Sequence, residues 1–83
     1  MHDHRAYGSV AVAKEAGISL RQLYYWVGVL RVVHPTEQSY GRRTYRRYTA
    51  DDLVRLKHMQ GLVAQGYTVR AAGRMVTNGS HGS

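Results

Sequence analysis

The sequence predicts a mainly α-helical domain with a small β-hairpin, a winged helix-turn-helix in the order helix, helix, strand, strand, helix, helix. Eighty-three residues are too few for two independent cores, whereas 43% hydrophobic residues suffice for one. Two short helical patterns meet at a Gly-Ile pair, and an arginine-rich, β-branched segment separates them from two further helical patterns. We expect the domain to span residues 9–76, between flexible ends at residues 1–8 and 77–83.

The first two helices are predicted from their caps. Ser9 is expected to cap a helix over residues 10–16, which ends at Gly17 because glycine suits a left-handed C-terminal position. Ser19 and Gln22 have the spacing of a capping box, so a second helix is expected directly after Ser19. The buried stripe of this second helix would consist of Leu20, Leu23 and Val27.

The middle of the chain is predicted to form the hairpin. Residues 31–33 contain the β-branched Val32 and Val33 and precede Pro35, so they are assigned to the first strand, and residues 43–48 to the second. Residues 36–41 are polar, and we expect them to form a long, mobile tip. Strand alternation would place Arg43, Tyr45 and Arg47 on one face of the hairpin and Thr44, Arg46 and Tyr48 on the other.

The last two helices also begin at caps. Thr49 and Asp52 have capping-box spacing and predict a third helix that ends before Gly66. Thr68 is expected to cap a short fourth helix over residues 69–76.

The charge of the chain indicates a polyanionic partner, with nucleic acid as the first candidate. Twelve Lys and Arg residues against five Asp and Glu residues give a net charge of +7, and ten of the twelve are Arg. The densest group lies in the predicted hairpin and contains Tyr40, Arg42, Arg43, Tyr45, Arg46 and Arg47. Arginines at this density favour a phosphate-binding surface, although a solvated hairpin with scattered charge is the alternative.

The second helix carries the other candidate contacts. In a helix-turn-helix its first turn enters the major groove, where Arg21 can bind guanine and Gln22 can bind adenine. Capping alone explains Gln22 equally well, and a phosphate contact explains Arg21 equally well. Of the aromatic run that follows, Trp26 is expected in the core, while Tyr25 is expected to donate to a phosphate. An exposed Tyr24 and Tyr25 would also suit a protein interface.

Several functions are excluded by what the sequence lacks. It has no cysteine, its five histidines show no metal-ligand spacing, and no catalytic constellation or Gly-rich phosphate loop occurs. We therefore expect no enzyme activity, cofactor, metal or small-molecule effector site. Neither a signal peptide nor an apolar run of membrane-spanning length is present, so we expect no membrane partner and a cytoplasmic protein.

Two segments carry a resemblance to a known family. Residues 19–26, Ser-Leu-Arg-Gln-Leu-Tyr-Tyr-Trp, and residues 45–53, Tyr-Arg-Arg-Tyr-Thr-Ala-Asp-Asp-Leu, resemble the DNA-binding domain of the MerR family. The resemblance implies that the second helix enters the major groove and that the hairpin wing follows the flanking backbone. It departs from the family where Tyr24 replaces a frequent Arg and where Gly28 arrives early in the turn. The candidate DNA-binding residues are Ser19, Arg21, Gln22, Tyr24, Tyr25, Tyr40, Arg42, Arg43, Tyr45, Arg46 and Arg47.

The resemblance leaves more than one function open. Since no sensor domain or long dimerising helix follows the fourth helix, we favour an excisionase-like protein that sets recombination direction by bending attachment-site DNA. Its partners would be double-stranded DNA, an integrase and further copies of itself. The alternative is a MerR-type transcriptional regulator or its isolated DNA-binding domain. A more distant alternative is an RNA-binding or protein-interaction module, in which Tyr40 and Tyr45 stack on single-stranded bases.

Overall fold

The computed structural model describes residues 7–79 and has the predicted element order. The elements are α1 (Ser9–Ala16), α2 (Leu20–Gly28), β1 (Thr36–Tyr40), β2 (Arg43–Arg47), α3 (Ala50–Ala64) and α4 (Val69–Gly79). The two strands pair antiparallel in a two-stranded sheet. The mainly α fold with one hairpin is therefore confirmed.

Local side-chain bonds fix where the helices begin. Ser19 Oγ accepts from the Gln22 backbone N–H at 3.1 Å, and Gln22 Oε1 accepts from the Ser19 N–H at 2.9 Å. Thr49 and Asp52 form the same box before α3 at 3.1 and 2.9 Å. The predicted cap of α1 is wrong by one residue, because Gly8 takes the extended cap conformation and Ser9 is already helical.

The helix ends follow the glycine pattern. Gly17 is left-handed at φ 76°, as predicted, and Gly66 at φ 111° follows the end of α3. The Thr68 hydroxyl accepts from the Ala71 N–H at 3.1 Å, so it caps α4 as expected. Helix α4 continues to Gly79, beyond the predicted limit at residue 76.

The first strand lies elsewhere than predicted. Val32 and Val33 are buried core residues outside any strand, and the polar residues 36–40, expected as a mobile tip, form β1. A turn of only two residues, Gly41 and Arg42, joins the strands, and Gly41 has φ 63°. Glycine with positive φ at the first central position is typical of a type II′ hairpin turn. A tight turn therefore replaces the predicted long loop.

The core lies among the four helices and the segment after α2. Its largest buried side chains are Trp26, Tyr48, Leu23, Leu56, Met59, Val12, Val32 and Val33. Trp26 is 1% exposed, which confirms its predicted place, whereas Leu20, predicted in the buried stripe, is 37% exposed. At 100° per residue, the inclusion of Trp26 rotates the buried face of α2 away from Leu20.

The base of the hairpin is tied to the chain before α1. Tyr7 and Tyr48 form an isolated antiparallel bridge, in which each backbone N–H donates to the other residue's carbonyl at 2.8 Å. Tyr48 directly follows β2 and is fully buried. The bridge therefore holds the start of α1 beside the end of β2.

Candidate nucleic-acid interface

Helix α2 presents three of the predicted contact residues to solvent. Arg21, Tyr24 and Tyr25 are exposed, and Leu23, Trp26 and Val27 bury the opposite face. The side chains of an α-helix repeat every 3.6 residues, so Arg21 and Tyr25, four residues apart, lie on one face a turn apart. The outward face of α2 thus offers one cation followed by a phenol.

Gln22 and Ser19 have a structural task at the start of the same helix. The Gln22 side-chain oxygen accepts the Ser19 N–H in the capping box, although both residues are exposed. A bidentate contact between Gln22 and adenine uses both the oxygen and the amide nitrogen. Base contact and this capping bond therefore compete for one oxygen atom, while no hydrogen bond within residues 7–79 occupies the Gln22 amide nitrogen.

The strand register divides the wing, residues 36–47, into two faces. Directly opposed pairs lie on the same face, and the pairs Tyr40–Arg43, Gln38–Tyr45 and Thr36–Arg47 form the first face. The pairs Ser39–Thr44 and Glu37–Arg46 form the second face. The predicted alternation of Arg43, Tyr45 and Arg47 against Thr44 and Arg46 is therefore confirmed.

Side chains on the first face of the wing hold one another in place. Gln38 Oε1 accepts from Arg47 Nε and from the Tyr40 hydroxyl, each at 3.3 Å. The rings of Tyr40 and Tyr45 lie 5.8 Å apart, tilted by 58°. Gln38, a residue that the sequence analysis did not single out, thereby orders a cation and a phenol on an exposed sheet.

Within the described chain, the wing has one ion pair with a carboxylate, and this pair lies on the second face. Arg46 Nε lies 3.7 Å from Glu37 Oε2, and the Glu37 side chain is 60% exposed. Among residues 7–79, Arg42, Arg43 and Arg47 have no carboxylate partner. Three wing arginines thus keep their full charge for an external anion, while Glu37 offsets part of the charge of Arg46.

A groove of about 940 Å³ joins helix α2 to the wing and to the start of α1. Tyr24 lies on one side of it, and its other lining residues are Gly8, Ser9, Val10, Ala11, Thr44, Tyr45, Arg46 and Arg47. The first N–H groups of a helix have no partner within the helix, and Gly8 gives α1 no side-chain cap. The groove therefore combines helix N–H donors, arginines and a phenol, a set suited to phosphate.

The part played by α1 was missed by the sequence analysis. Ser9 was assigned the capping role, which would have occupied the free N–H groups that border the groove. The signal was the glycine before Ser9, because glycine ranks close to Thr as a cap yet offers no side-chain acceptor.

The described part of the chain has neither a metal-ligand cluster nor a membrane-spanning helix. Between residues 7 and 79, no cluster of three or more His, Cys, Asp or Glu residues is arranged to hold a metal ion. Across the same residues, no helix combines the length and apolar character needed to span a bilayer.

Comparisons with known proteins were made at the levels of sequence and fold. The family model described as MerR HTH family regulatory protein matches residues 7–78. A MerR family transcriptional regulator from Bacillus cereus is similar in structure, with TM-score 0.74 and 22% identity over 88% of this chain and 52% of that one. HiNmlR, described as a MerR family regulator lacking the sensor domain and bound to promoter DNA, has TM-score 0.76 and 24% identity over 95% of this chain and 58% of its own. The chain thus spans little more than half the length of these two structures, and no curated protein sequence matched it.

Proposed function

We propose, from the premise that this chain belongs to the MerR HTH family of regulatory proteins, that it binds double-stranded promoter DNA as the DNA-binding domain of a transcriptional regulator. One observation carries the proposal. A single groove is lined by Tyr24 of helix α2 and by Arg46 and Arg47 of the wing. A duplex seated on α2 would therefore meet the wing arginines at the same time.

The exposed face of α2 supplies the contacts expected to read sequence. Arg21 enters the major groove from the first turn, where its fork of donors matches the O6 and N7 atoms of guanine. Tyr25, one turn further along α2, donates its hydroxyl proton to a phosphate of the DNA backbone. Ser19 and Gln22 position this turn through the capping box, and the Gln22 amide nitrogen contributes a donor towards the bases.

The wing supplies contacts that hold the duplex without reading it. Arg43 and Arg47 on the first face, Arg42 at the turn and Arg46 on the second face bind phosphates, which carry no sequence information themselves. Tyr24 and Tyr45 line the approach with hydroxyl donors, and the Tyr40 hydroxyl, which donates to Gln38, would have to exchange that bond for a phosphate. The uncapped start of α1 adds backbone N–H groups and the positive end of the helix dipole.

The comparisons favour a regulator over the excisionase-like protein preferred from sequence. Both similar structures are described as MerR family regulators, and the one that lacks a sensor domain is bound to promoter DNA. That protein gives a precedent for promoter binding by a member of the family without a sensor. Under this proposal the chain described here acts in the cytoplasm, where promoter DNA lies, and its action needs no catalytic step.

The number of phosphate contacts sets the salt dependence that tests the proposal. Among residues 7–79, Arg21, Arg42, Arg43 and Arg47 have no carboxylate partner, and Arg46 is partly offset by Glu37, so about four to five phosphates are neutralised. At roughly −0.9 per contact, log K should fall against log salt with a slope of about −4. Fluorescence anisotropy with a labelled duplex at several salt concentrations measures this slope, and a slope near zero contradicts the proposal.

Two substitutions separate phosphate contact from base contact. Arg47→Ala should weaken binding to all duplexes alike and reduce the slope by about 1, whereas Arg21→Ala should change the preference between sequences. Arg74→Ala removes the same charge from α4, outside the groove and the wing, and is the matched control. If Arg21→Ala and Arg47→Ala caused the same uniform loss, the assignment of α2 to the major groove would be wrong.

A competition experiment addresses the class of nucleic acid. Duplex DNA, single-stranded DNA and RNA of one sequence are compared at the same salt concentration. We expect the duplex to bind most tightly, since the site combines a helix suited to the major groove with a wing that carries arginines for the flanking phosphates. Tighter binding to a single strand would instead support stacking on Tyr40 and Tyr45.

A further inference from the structure

A second cleft lies at the base of the wing, on the side of its second face. It encloses about 240 Å³ between the end of α2 and the first residues of β1. Its lining residues are Val27, Gly28, Arg31, Val33, His34, Pro35, Glu37 and Arg46. We call it the wing-base cleft. It shares Arg46 with the groove described above and is otherwise formed by different residues.

The backbone at Arg31 is unusual. Arg31 has φ 54° and is the one non-glycine residue with positive φ among residues 7–79. The left-handed position after a helix is ordinarily taken by glycine, because a Cβ atom is crowded there. Here the turn is closed by the Val32 N–H, which donates to the Trp26 carbonyl at 3.0 Å, and the Arg31 side chain is exposed.

The charges around the wing-base cleft favour an anion. Arg31 and His34 are exposed and Arg46 is half-buried, so two arginines and one histidine border the same small space. Glu37 is the one carboxylate in the lining, and its 3.7 Å separation from Arg46 Nε is longer than a strong charged hydrogen bond. Glu37 is mostly exposed and can swing towards solvent, which would release Arg46 to an external ligand.

We propose that the wing-base cleft binds a phosphoryl group. Arg31 and Arg46 supply the charged donors, His34 supplies a ring N–H, and Glu37 acts as an internal competitor for Arg46. The phosphoryl group comes either from the backbone of a bound duplex or from a free phosphorylated compound. The first source rests on the proposed function, and the second does not.

The direct test is a titration of the full chain with inorganic phosphate at low salt, followed by amide NMR shifts. We expect saturable shifts confined to residues 28–37 and 46. Arg31→Gly should abolish them, and this variant is expected to fold at least as well as the native chain, because glycine suits φ 54°. Glu37→Gln should tighten phosphate binding several-fold, a gain that misfolding cannot produce.

The control is Arg74→Ala, which lowers the net charge equally but lies on α4. If Arg74→Ala weakened the phosphate response as much as Arg31→Gly does, general charge would explain the binding and the site would be refuted. Shifts that never saturate, or that are unchanged in both Arg31→Gly and Glu37→Gln, would refute it as well. Shifts that saturate but spread over the whole basic surface would indicate an adventitious ion only.

Duplex titrations of the same variants identify the source of the phosphoryl group. If Arg31→Gly reduces the salt slope by about 1 while Arg74→Ala does not, the cleft holds a backbone phosphate of the duplex. If the slope is unchanged but inorganic phosphate still binds, the cleft serves a free phosphorylated compound. Retained phosphate binding in a chain that fails to bind any duplex would refute the proposed function and leave this site standing.

Discussion

Replacing Tyr48 by Phe should stabilise the domain. The Tyr48 side chain is 0% exposed, and its hydroxyl has no hydrogen-bond partner within the described residues. A buried polar group without a partner costs about 1–3 kcal/mol, and Phe keeps the ring and its packing while removing that group. Taking the lower end, we expect the free energy of unfolding to rise by about 1 kcal/mol, which raises Tm by roughly 4–8 °C in a domain of this size.

The measurement is thermal unfolding followed by far-UV circular dichroism. Tyr67→Phe is the matched control, because Tyr67 is 44% exposed and its hydroxyl is open to solvent, so Tm should stay unchanged. Tyr48→Ala, which also removes the ring, should cost about 3–5 kcal/mol and shows that the position is part of the core. A Tm for Tyr48→Phe several degrees below that of the native chain would show that the hydroxyl has a stabilising partner, and the reasoning would fail.

Three further substitutions test how backbone conformation and helix capping contribute to the stability of the domain. Gly73→Ala in α4 should stabilise by up to about 1 kcal/mol in urea unfolding, because helix propensity favours alanine and the added Cβ would lie 3.6 Å from Leu30 Cδ1, an ordinary contact. Gly17→Ala, the same change at φ 76°, should lower the free energy of unfolding by about 1 kcal/mol. If Gly73→Ala and Gly17→Ala changed the free energy of unfolding in the same direction, the argument from backbone conformation would be contradicted. Ser19→Ala removes one half of the capping box and should cost about 1 kcal/mol, with Ser9→Ala as a control that leaves stability nearly unchanged, since Ser9 caps nothing.

The sequence was most informative where structure depends on neighbouring residues. Both capping boxes, at Ser19 and at Thr49, were predicted and confirmed, because a cap involves a side chain and a backbone group three residues apart. The first strand was misplaced for the opposite reason. Val32 and Val33 have strand-forming side chains, yet they are buried in an irregular segment, and β-branched residues satisfy either environment.

The polar residues 36–40 form a strand because of their pairing with β2 and not because of their own side-chain propensity. Each pairs with a residue of β2, and the Gly41–Arg42 turn sets the register. A Gly-X pair is itself a hairpin signal, so this turn was accessible from sequence. The β-branched Val32 and Val33 that precede it have higher strand propensity than the polar residues 36–40, and for that reason the sequence predicts the strand too early.

In the candidate interface, too, some features were predictable from the sequence and others depend on the folded arrangement. The arginine and tyrosine positions were evident from composition and alternation, and the register confirms their distribution over two faces. The groove beside α1 and the wing-base cleft were not predicted, because each brings together segments that are far apart in sequence. In both cases a backbone feature, the uncapped start of α1 or the left-handed Arg31, marks the place.

The wing has a consequence for how this chain can diverge. Nine of its ten strand residues are exposed and the tenth is only half-buried, so Tyr48 and the Tyr7 bridge, which lie just outside the strands, anchor the hairpin. Substitutions within the wing therefore leave the core packing intact, so under the proposed function the strength of phosphate binding can change there with little loss of stability. Core packing and the proposed phosphate contacts depend on largely separate residues, which leaves the hairpin free to vary on a constrained scaffold.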